Sequence, residues 1–568
     1  LLCYRTHLRF GQIYAIIPIQ FVSLAIKSND KHMNRLFLFT LTLICHCLIT
    51  TAQEIEYAQP VNTPESCTSI MVGKKASADG SVMTSHTCDG NYRTWMDIVP
   101  AATYDRDTTV AIRNGRMHTE YPGDQTNVEL KGTIPQARST YQFLNTSYPC
   151  LNEKQLGIGE TTISGRKELV NKKGMFMIEE LEKIALQRCT TARDAIRLIG
   201  ELVKEHGYGD SGECLTIADP DEVWIFEVFG EGPDKIGGVW AAVRIPDDHV
   251  SVSANISRIS TLDLKDKDNY MASANVFDVA KKMGFWDGKE PFRFWKAYSG
   301  GNYFGELKSF SLREFFILNS LAPSLKLSYD SEELPLSVKP DKQVAVTDVM
   351  ALLRATYEGT DWDTTKNLKV PSKKKDSSDK DSIASPAANP WMTTDMINML
   401  NEVKPRTVDR NRLVAVPQCS YSHVIQLRNW LPDAVGGVAW LSFDNPGQSP
   451  RIPIFSGSTA LPPSFGICGQ HRHRTDAAIW SFREANKLAT VRWGLTKEKM
   501  QTAIAHFEEK GQTELPFVEA QYKQIQQTKG DEAANAYLTG YTSDFAGAAM
   551  QRWREMADEF WKMFARGF

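Results

Sequence analysis

Cys67 is the residue whose type and position point most directly to chemistry. It stands between a mostly polar stretch with two prolines (residues 53–66) and an apolar run, CTSIMVG, that has the pattern of a β-strand. If the chain were cut before it, Cys67 would carry its own general base, because an α-amine has a pKa of about 8. The amine could take the proton of the thiol, and the thiolate is the reactive species. A cysteine that opens a strand is also common as a buried core residue.

The sequence before Cys67 predicts how such an N-terminus would form. From the first methionine, Met33, the chain reads MNRLFLFTLTLICHCLITTAQE: a short basic start, an apolar run and then small residues. This is the pattern of a secretory signal peptide, placed at residues 33–52, and it predicts export to the periplasm or the extracellular space. Residues 1–32 are then expected to be upstream sequence translated outside the native protein, and residues 53–66 a short propeptide.

A membrane anchor is the competing interpretation of this start. The two apolar runs, residues 10–26 and 36–49, are both shorter than the roughly 20 residues that a helix needs to cross a bilayer. We therefore expect no stable membrane insertion once the signal peptide has been removed.

The number of cysteines from Cys67 onward is odd. The seven that remain are Cys67, Cys88, Cys150, Cys189, Cys214, Cys419 and Cys468. An odd number in an exported protein leaves at least one thiol unpaired, either by burial or as a reactive group. Two groups combine residue types that bind metals: Cys419 with His423, and Cys468 with His471 and His473. Their spacing matches no standard zinc site, so neither a metal nor another cofactor is expected.

The chain after Cys67 predicts the elements that position it. The turn Asp79-Gly80 between two apolar runs predicts a hairpin that begins at Cys67. Helical spacing occurs at residues 176–187 and 192–205, and the chain from Thr475 onward is mainly helical. Further strand-like runs lie at residues 95–101, 156–163, 214–218, 223–228, 239–245, 250–256, 413–416, 423–427 and 437–443. This order favours an α+β layered domain over a doubly wound parallel sheet.

Length and charge set further limits. The 568 residues are too many for one compact core, and we divide them into a catalytic domain at 67–470 and a C-terminal helical region at 471–568. Residues 366–390, rich in Lys, Ser and Asp, are predicted to form a flexible surface loop within the first. With 65 basic and 68 acidic residues the net charge is −3, which offers no broad basic surface for nucleic acid.

Several blocks between Cys67 and about residue 455 resemble one family, in that family's own order. They are CTSIMVGKKASADGSVMTSHTCDG, ANISRI, LLRATYEGTDWD, YSHVIQLRNWLP and GGVAW. The family is the C69 family of dipeptidases, which are cysteine-type N-terminal-nucleophile hydrolases. The resemblance implies an αββα sandwich with additional C-terminal helices, autocatalytic removal of the leader, and hydrolysis of dipeptides through an acyl-enzyme on Cys67.

The resemblance also implies roles for two residues of the hairpin. The wider fold group, which includes penicillin and bile-salt acylases, has an aspartate on the strand that returns from the nucleophile, and Asp89 is in that place. Asp89 would orient the α-amine as a catalytic residue. The acylases carry an arginine three residues earlier, where this chain has His86. His86 then either takes over the polarising role at the substrate or is a hydrogen-bonded structural residue.

Three residues farther along complete the predicted site. Asn255, in ANISRI, matches a family asparagine expected to donate its amide N–H to the developing oxyanion; an asparagine that ends a strand is the alternative. Arg258 could bind the substrate carboxylate bidentately or form an ordinary salt bridge. A second oxyanion donor is expected on the strand around Thr162, which we assign to substrate binding without choosing the atom.

Three hypotheses follow for the function. The first is an exported cysteine dipeptidase that acts on small peptides. The second is an amidase or acylase that uses the same thiol on N-acyl amino acids or bile-salt-like conjugates. The third is an inactive secreted binding protein that has kept the fold. The sequence leaves the oligomeric state open, homo-oligomers included.

Overall fold

The computed structural model describes residues 66–301, 305, 308–372 and 382–567. The predicted upstream sequence, signal peptide and nearly all of the predicted propeptide lie outside the described residues, as does the middle of the predicted loop at 366–390. Ser66, the last residue of that propeptide, is described and is joined to Cys67.

Twenty-one strands are described. In chain order they are β1 Ser69–Val72, β2 Val82–Asp89, β3 Asp97–Val99, β4 Ala102–Thr103, β5 Thr109–Asn114, β6 Glu129–Pro135, β7 Ser139–Thr140, β8 Phe143–Asn145, β9 Leu151–Asn152, β10 Gly157–Thr162, β11 Glu213–Ala218, β12 Val223–Gly230, β13 Gly238–Ile245, β14 Val250–Ser253, β15 Tyr270–Ala272, β16 Ser337–Val338, β17 Lys369–Pro371, β18 Ser382–Ala384, β19 Cys419–Leu427, β20 Val438–Phe443 and β21 Ile452–Phe455.

The described helices follow the same order. They are α1 Ile178–Arg188, α2 Ala192–His206, α3 Val276–Lys282, α4 Phe294–Tyr298, α5 Lys308–Leu321, α6 Val346–Leu353, α7 Thr394–Val403, α8 Asp433–Gly436, α9 Ala478–Val491, α10 Trp493–Lys529 and α11 Asp531–Phe564. Single turns of 3-10 helix occur at Arg116–His118, Lys167–Leu169, Pro323–Leu325 and Pro463–Gly466.

The predicted hairpin forms the middle of a seven-stranded antiparallel sheet. The strand order is β16-β14-β1-β2-β19-β20-β21, so β1 and β2 are covered on both edges. Gly80 in the connecting turn has a φ of 83°, a conformation that glycine adopts without steric cost. In the register between β2 and β19, His86 lies opposite His423. The start of the hairpin, where Cys67 lies, is therefore inside the sheet and not at its edge.

A second antiparallel sheet of eight strands packs against the first. Its order is β15-β13-β12-β11-β10-β9-β8-β3. The hydroxyl groups of Thr84 on β2 and Thr216 on β11 are 2.6 Å apart, which joins the two sheets directly. At Gly159 the approach is so close that a Cβ atom would lie 2.2 Å from the carbonyl oxygen of Ser85. The central strands of both sheets are buried on both faces, and their polar side chains are buried with the apolar ones.

Helices cover the outer faces of both sheets. α1 and α2 pack on the second sheet, and α9 and α11 pack on the first. Glycines allow close contact on each side, because a Cβ atom at Gly200 of α2 would lie 2.5 Å from the Trp240 ring. At Gly511 of α10 a Cβ atom would lie 2.8 Å from the Trp440 ring.

Two long helices make up most of the C-terminal region, which the sequence predicts to be mainly helical. α10 has 37 residues and α11 has 34, and Gly530 with a φ of 86° separates them. Despite this length, none of the helices in the described residues is apolar enough to cross a membrane.

Some predicted elements differ from those in the structure. The run at residues 413–416 is not a strand, because β19 begins at Cys419. Its apolar side chains are buried without a β-ladder: Ala415 accepts a hydrogen bond from the Trp391 indole instead. The run at 95–101 contains only the three-residue β3. The described ends of the predicted loop at 366–390 pair as the ribbon β17–β18.

Candidate active site

Cys67 lies immediately before β1 and is fully buried. Its neighbour Ser66 forms a β-bridge with Asp89 at the end of β2: Ser66 N donates to Asp89 O at 2.9 Å, and Asp89 N donates to Ser66 O at 3.1 Å. The main chain of Cys67 is held from the other side, where its nitrogen donates to Asn255 Oδ1 at 3.0 Å and its oxygen accepts from Arg313 Nη1 at 2.6 Å. Both the nitrogen and the carbonyl of the candidate nucleophile are therefore fixed in place.

Asn255 is held by three partners. Its Oδ1 accepts from Cys67 N and, at 2.8 Å, from Arg313 Nη2, and its Nδ2 donates to the carbonyl oxygen of Thr162 at 2.7 Å. The two donors at Oδ1 fix the orientation of the amide. The sequence places this N–H at the oxyanion; in the structure it is engaged with the main chain of β10, and the contact with the Cys67 nitrogen was not predicted.

The thiol of Cys67 lies next to His86 and Glu160. The candidate ligand atoms of these three residues are within 4.8 Å of one another, and all three side chains are buried. Burial raises the pKa of the Cys67 thiol well above its usual value, and the nearby Glu160 carboxylate raises it further. Because the protonated thiol is favoured here, the site needs a base to generate a thiolate.

His86 is a neutral, hydrogen-bonded residue. Its Nδ1 is 2.7 Å from the carbonyl oxygen of Glu160, which assigns the ring proton to Nδ1. Burial lowers the pKa of His86 to about 4, so the ring carries no positive charge at neutral pH. A neutral ring carries no positive charge to replace that of the acylase arginine, and the hydrogen bond to Glu160 is the arrangement that the structural alternative describes. The other nitrogen, Nε2, has no hydrogen-bond partner in the described part of the chain.

Two arginines that sequence reasoning missed supply positive charge around Cys67. Arg313, on α5, is fully buried, and burial and the nearby Arg412 lower its pKa to about 9, which leaves it protonated at neutral pH. Arg412 donates through Nη2 to Asp89 Oδ2 at 2.8 Å and to Ser66 Oγ at 2.6 Å. The apolar neighbours of Arg313 in SLREFF were the one available signal that this arginine is buried.

Asp89 makes an ion pair and does not bind the nitrogen of Cys67. Its Oδ2 accepts from Arg412 and, at 2.9 Å, from Thr87 Oγ1. Its Oδ1 has no hydrogen-bond partner among the described residues. The peptide nitrogen of Cys67 is bound by Asn255 instead, while Asp89 remains close enough for its charge to raise the pKa of the Cys67 thiol.

Glu160 and Glu213 form a buried acidic pair that the sequence did not single out. Glu160 lies on β10, in the strand where a second oxyanion donor was expected, and Thr162 Oγ1 donates to its Oε1 at 3.2 Å. Glu213 lies opposite Thr162 in the register with β11. Burial raises the pKa of both carboxyls, and their mutual repulsion raises that of Glu213 further.

Arg258 is not placed to bind a substrate carboxylate. It is buried, its Nη1 donates to Glu314 Oε2 at 2.6 Å, and its Nη2 donates to the carbonyl oxygen of Pro335 at 2.6 Å. The guanidinium is already engaged by a buried carboxylate, which is the arrangement that the salt-bridge alternative describes.

The two groups of metal-binding residue types do not converge. Within the described residues, the one cluster of three candidate metal ligands is Cys67, His86 and Glu160, which is the site above. Cys419 instead donates through Sγ to the carbonyl oxygen of Tyr421 at 3.1 Å. All seven described cysteines are buried.

Comparison with known proteins agrees with the geometry of the site. The model of peptidase family C69 matches residues 66–506. A "Probable dipeptidase" of Latilactobacillus sakei is 26% identical over 397 residues, 69% of this chain and 74% of that protein. A "Probable dipeptidase" of Salmonella dublin is 27% identical over 414 residues, 70% and 82% of the two chains. A "Probable dipeptidase B" of Streptococcus pyogenes serotype M1 is 25% identical over 399 residues, 68% and 71%. The chain therefore belongs to peptidase family C69.

Proposed function

We propose that the protein is an exported dipeptidase whose nucleophile is the Cys67 thiol, activated by the α-amine of the same residue. The observation that carries the proposal is the hydrogen bond from Cys67 N to Asn255 Oδ1 at 3.0 Å. After cleavage of the Ser66–Cys67 bond, the same contact would hold the new α-amine beside its own thiol. The relatives named as probable dipeptidases support the substrate class.

The reaction uses one base twice. The α-amine takes the proton of Sγ, and the thiolate attacks the carbonyl carbon of the peptide bond. The C–N bond then breaks, the protonated amine gives its proton to the departing amino group, and a thioester on Cys67 remains. Water attacks this thioester, the amine accepts a proton from the water, and the first amino acid leaves as Sγ regains its proton.

The pKa values favour the amine over His86 as this base. The Nε2 of His86 is unpartnered among the described residues and lies in the same cluster as the thiol. Its pKa of about 4, however, makes it a poor acceptor for the proton of a thiol whose pKa is raised. A free α-amine has a pKa of about 8, which matches a general base that works near neutral pH.

The contacts of Ser66 support autocatalytic removal of the leader. The carbonyl that would be attacked in that step, Ser66 O, accepts a hydrogen bond from Asp89 N at 3.1 Å. An N–H that binds the scissile carbonyl stabilises the negative charge that develops on its oxygen. Arg412 fixes both Ser66 and Asp89, so we assign it a positioning role in processing.

The fold and the leader complete the proposal. We assign the two stacked antiparallel sheets with their outer helices to the αββα sandwich of N-terminal-nucleophile hydrolases, with the catalytic domain at 67–470 and the helical region at 471–568. The apolar start at residues 33–52 directs the chain out of the cytoplasm, to the periplasm or beyond the cell.

The test expresses the full chain and reads processing and activity together. We expect N-terminal sequencing of the active enzyme to begin at Cys67, and hydrolysis of dipeptides to exceed that of N-acyl amino acids. Cys67→Ala should retain the propeptide (residues 53–66) and lose hydrolysis. Cys150→Ala, which removes another fully buried thiol, is the matched control and should keep both. An active enzyme that still carries Ser66 would contradict the proposal.

A further inference from the structure

We propose that Glu160 and Glu213 bind the free α-ammonium group of the substrate, so that the enzyme recognises the N-terminal end of the peptide that it cleaves. This inference rests on the dipeptidase function proposed above and adds to it the group that selects the substrate. It also gives a physical reason for a preference for dipeptides over N-acylated compounds.

The two carboxyls lie on adjacent strands of the second sheet, β10 and β11, and the carboxyl of Glu160 lies next to the Cys67 thiol of the first sheet. Thr162 is two residues beyond Glu160 on β10 and opposite Glu213 on β11, so all three side chains point to the same side of the sheet. Glu160 is the one whose carboxylate oxygen lies within 4.8 Å of Cys67 Sγ. The pair is therefore next to the atom that attacks the substrate.

Oε2 of neither carboxyl receives a hydrogen bond from a donor elsewhere in the described residues. Both oxygens are buried, the neighbouring Nε2 of His86 also lacks a partner, and the two carboxyls hydrogen-bond to each other, which requires a proton between them. Buried polar atoms without a partner are rare in folded proteins. Among the described residues the one ion-pair partner of Glu160 is His86, with Nδ1 3.8 Å from Oε2, and that ring is neutral. The ammonium group of a substrate could replace the proton of the pair and donate hydrogen bonds to its oxygens.

Bond lengths place the substrate amine at the right distance. In the acyl-enzyme the carbonyl carbon is bonded to Sγ, and the α-nitrogen is two bonds farther on, through Cα. With N–Cα and Cα–C bonds of about 1.5 Å each, the α-nitrogen lies roughly 3–4 Å from Sγ. A carboxylate oxygen within 4.8 Å of Sγ can thus accept a hydrogen bond from this ammonium group.

The electrostatics of the pair favour a cation and disfavour an acyl group. Burial raises the pKa of both carboxyls, so the empty pair retains protons that an arriving ammonium replaces. A bound ammonium is neutralised by the carboxylates, whereas an N-acyl group brings no charge and leaves the buried oxygens unpaired. A site built to pair a polar substrate group rejects analogues that lack it far more strongly than an apolar pocket does.

The experiment compares a dipeptide with its N-acetyl and desamino analogues. We measure kcat/KM for each compound, and the inhibition constant of the desamino analogue, which reports binding even where cleavage is undetectable. The wild type should prefer the free amine by about 100-fold or more. Glu160→Gln and Glu213→Gln should each lose about 10- to 100-fold on the dipeptide, with the constants for the analogues unchanged within about 3-fold. The mature N-terminus of each variant is sequenced to confirm processing.

Glu227→Gln is the matched control. Glu227 is a buried carboxyl on the adjacent strand β12, but its oxygens already accept hydrogen bonds from Ser257 Oγ, Arg258 N and Ile259 N. Its substitution should lower stability and leave the selectivity ratio unchanged. Equal losses on the dipeptide and the analogues in Glu160→Gln would overturn the ammonium site and leave the dipeptidase function standing. A wild type that cleaves N-acyl compounds and no dipeptide would overturn both.

Discussion

The main-chain nitrogen of Cys67 and the side-chain Oδ1 of Asn255 are joined by a hydrogen bond of 3.0 Å across two adjacent strands. Asn255 follows the end of β14 with a φ of 64°, in the left-handed region that asparagine enters more readily than most residues. The antiparallel register places Ser253 opposite Ser69, so the end of β14 meets the start of β1. This local backbone geometry brings an acceptor to the nitrogen that would become the catalytic base.

Asn255→Gly tests that acceptor with little disturbance of the backbone. Glycine adopts a φ of 64° without strain, so the variant removes only the amide. We expect kcat for a dipeptide to fall by about 100-fold or more, the range in which general acid–base groups contribute. Asn127→Gly is the control, because Asn127 is exposed and has a similar φ of 62°. Wild-type kcat in Asn255→Gly would show that the amide does not position the amine.

Removal of one partner from the ion pair of Arg412 and Asp89 should destabilise the fold. Both side chains are buried, and removal of one partner from a buried pair leaves an uncompensated charge that costs about 3–5 kcal/mol. Arg412→Met should therefore lower the free energy of unfolding by this amount in urea titrations. The double variant Arg412→Met with Asp89→Asn should recover much of the lost free energy of unfolding, because it also removes the unpaired carboxylate of Asp89. Additive losses in the double variant would argue against the pair.

The elements that carry the nucleophile could be predicted from local sequence patterns. The Asp79-Gly80 turn and the apolar runs beside it define β1 and β2, and periodic spacing defines α1 and α2. The run at residues 413–416 was misassigned because burial, not strand pairing, explains its apolar side chains. Whether such an apolar run pairs in a sheet or packs in the core without pairing depends on tertiary packing, which a local pattern does not contain.

The charged partners of the site could not be predicted in the same way. Arg313 is 246 residues from Cys67 in sequence, and its contacts arise only when α5 packs beside β14. Arg412 lies in an irregular segment with no pattern at all, and Glu160 is an acidic residue inside an otherwise unremarkable strand. Arg258 was assigned to the substrate carboxylate because arginine binds carboxylates well. In the fold, the carboxylate that it binds belongs to Glu314.

His86 and His423, two buried histidines that lie opposite each other, should make the protein sensitive to acid, because burial lowers the pKa of both. The folded-state pKa of His86 is about 4, whereas in the unfolded chain it is about 6.5. Between these values the unfolded chain binds a proton that the folded chain does not, so stability falls as the pH drops from about 6.5 to 4. The contribution of His86 to this loss is roughly 3 kcal/mol.

Urea titrations at pH 7.5, 6.0 and 5.0 measure this dependence. His86→Gln should flatten it, and His506→Gln, which changes an exposed residue of α10, should follow the wild type. Comparing the pH dependence of each variant with that of the wild type separates the contribution of His86 from that of the buried carboxyls. Their raised pKa values change stability in the opposite direction. Identical slopes for His86→Gln and the wild type would contradict the assignment of a buried neutral imidazole.

The contact between the two sheets at Gly159 should tolerate no side chain. A Cβ atom there would lie 2.2 Å from Ser85 O and 2.7 Å from Thr216 Oγ1, so Gly159→Ala must push β10 away from β2. Overpacking of this kind costs about 1–3 kcal/mol. Because Glu160 follows directly, the same shift would displace its carboxylate from Cys67, and we expect kcat/KM for a dipeptide to fall with the stability.

Gly540→Ala, on α11 with no atom within 4 Å of its Cβ, should instead stabilise the protein by about 0.5–1 kcal/mol and leave kcat/KM unchanged. A Gly159→Ala enzyme with wild-type stability and activity would show that the sheets are not in contact at this point.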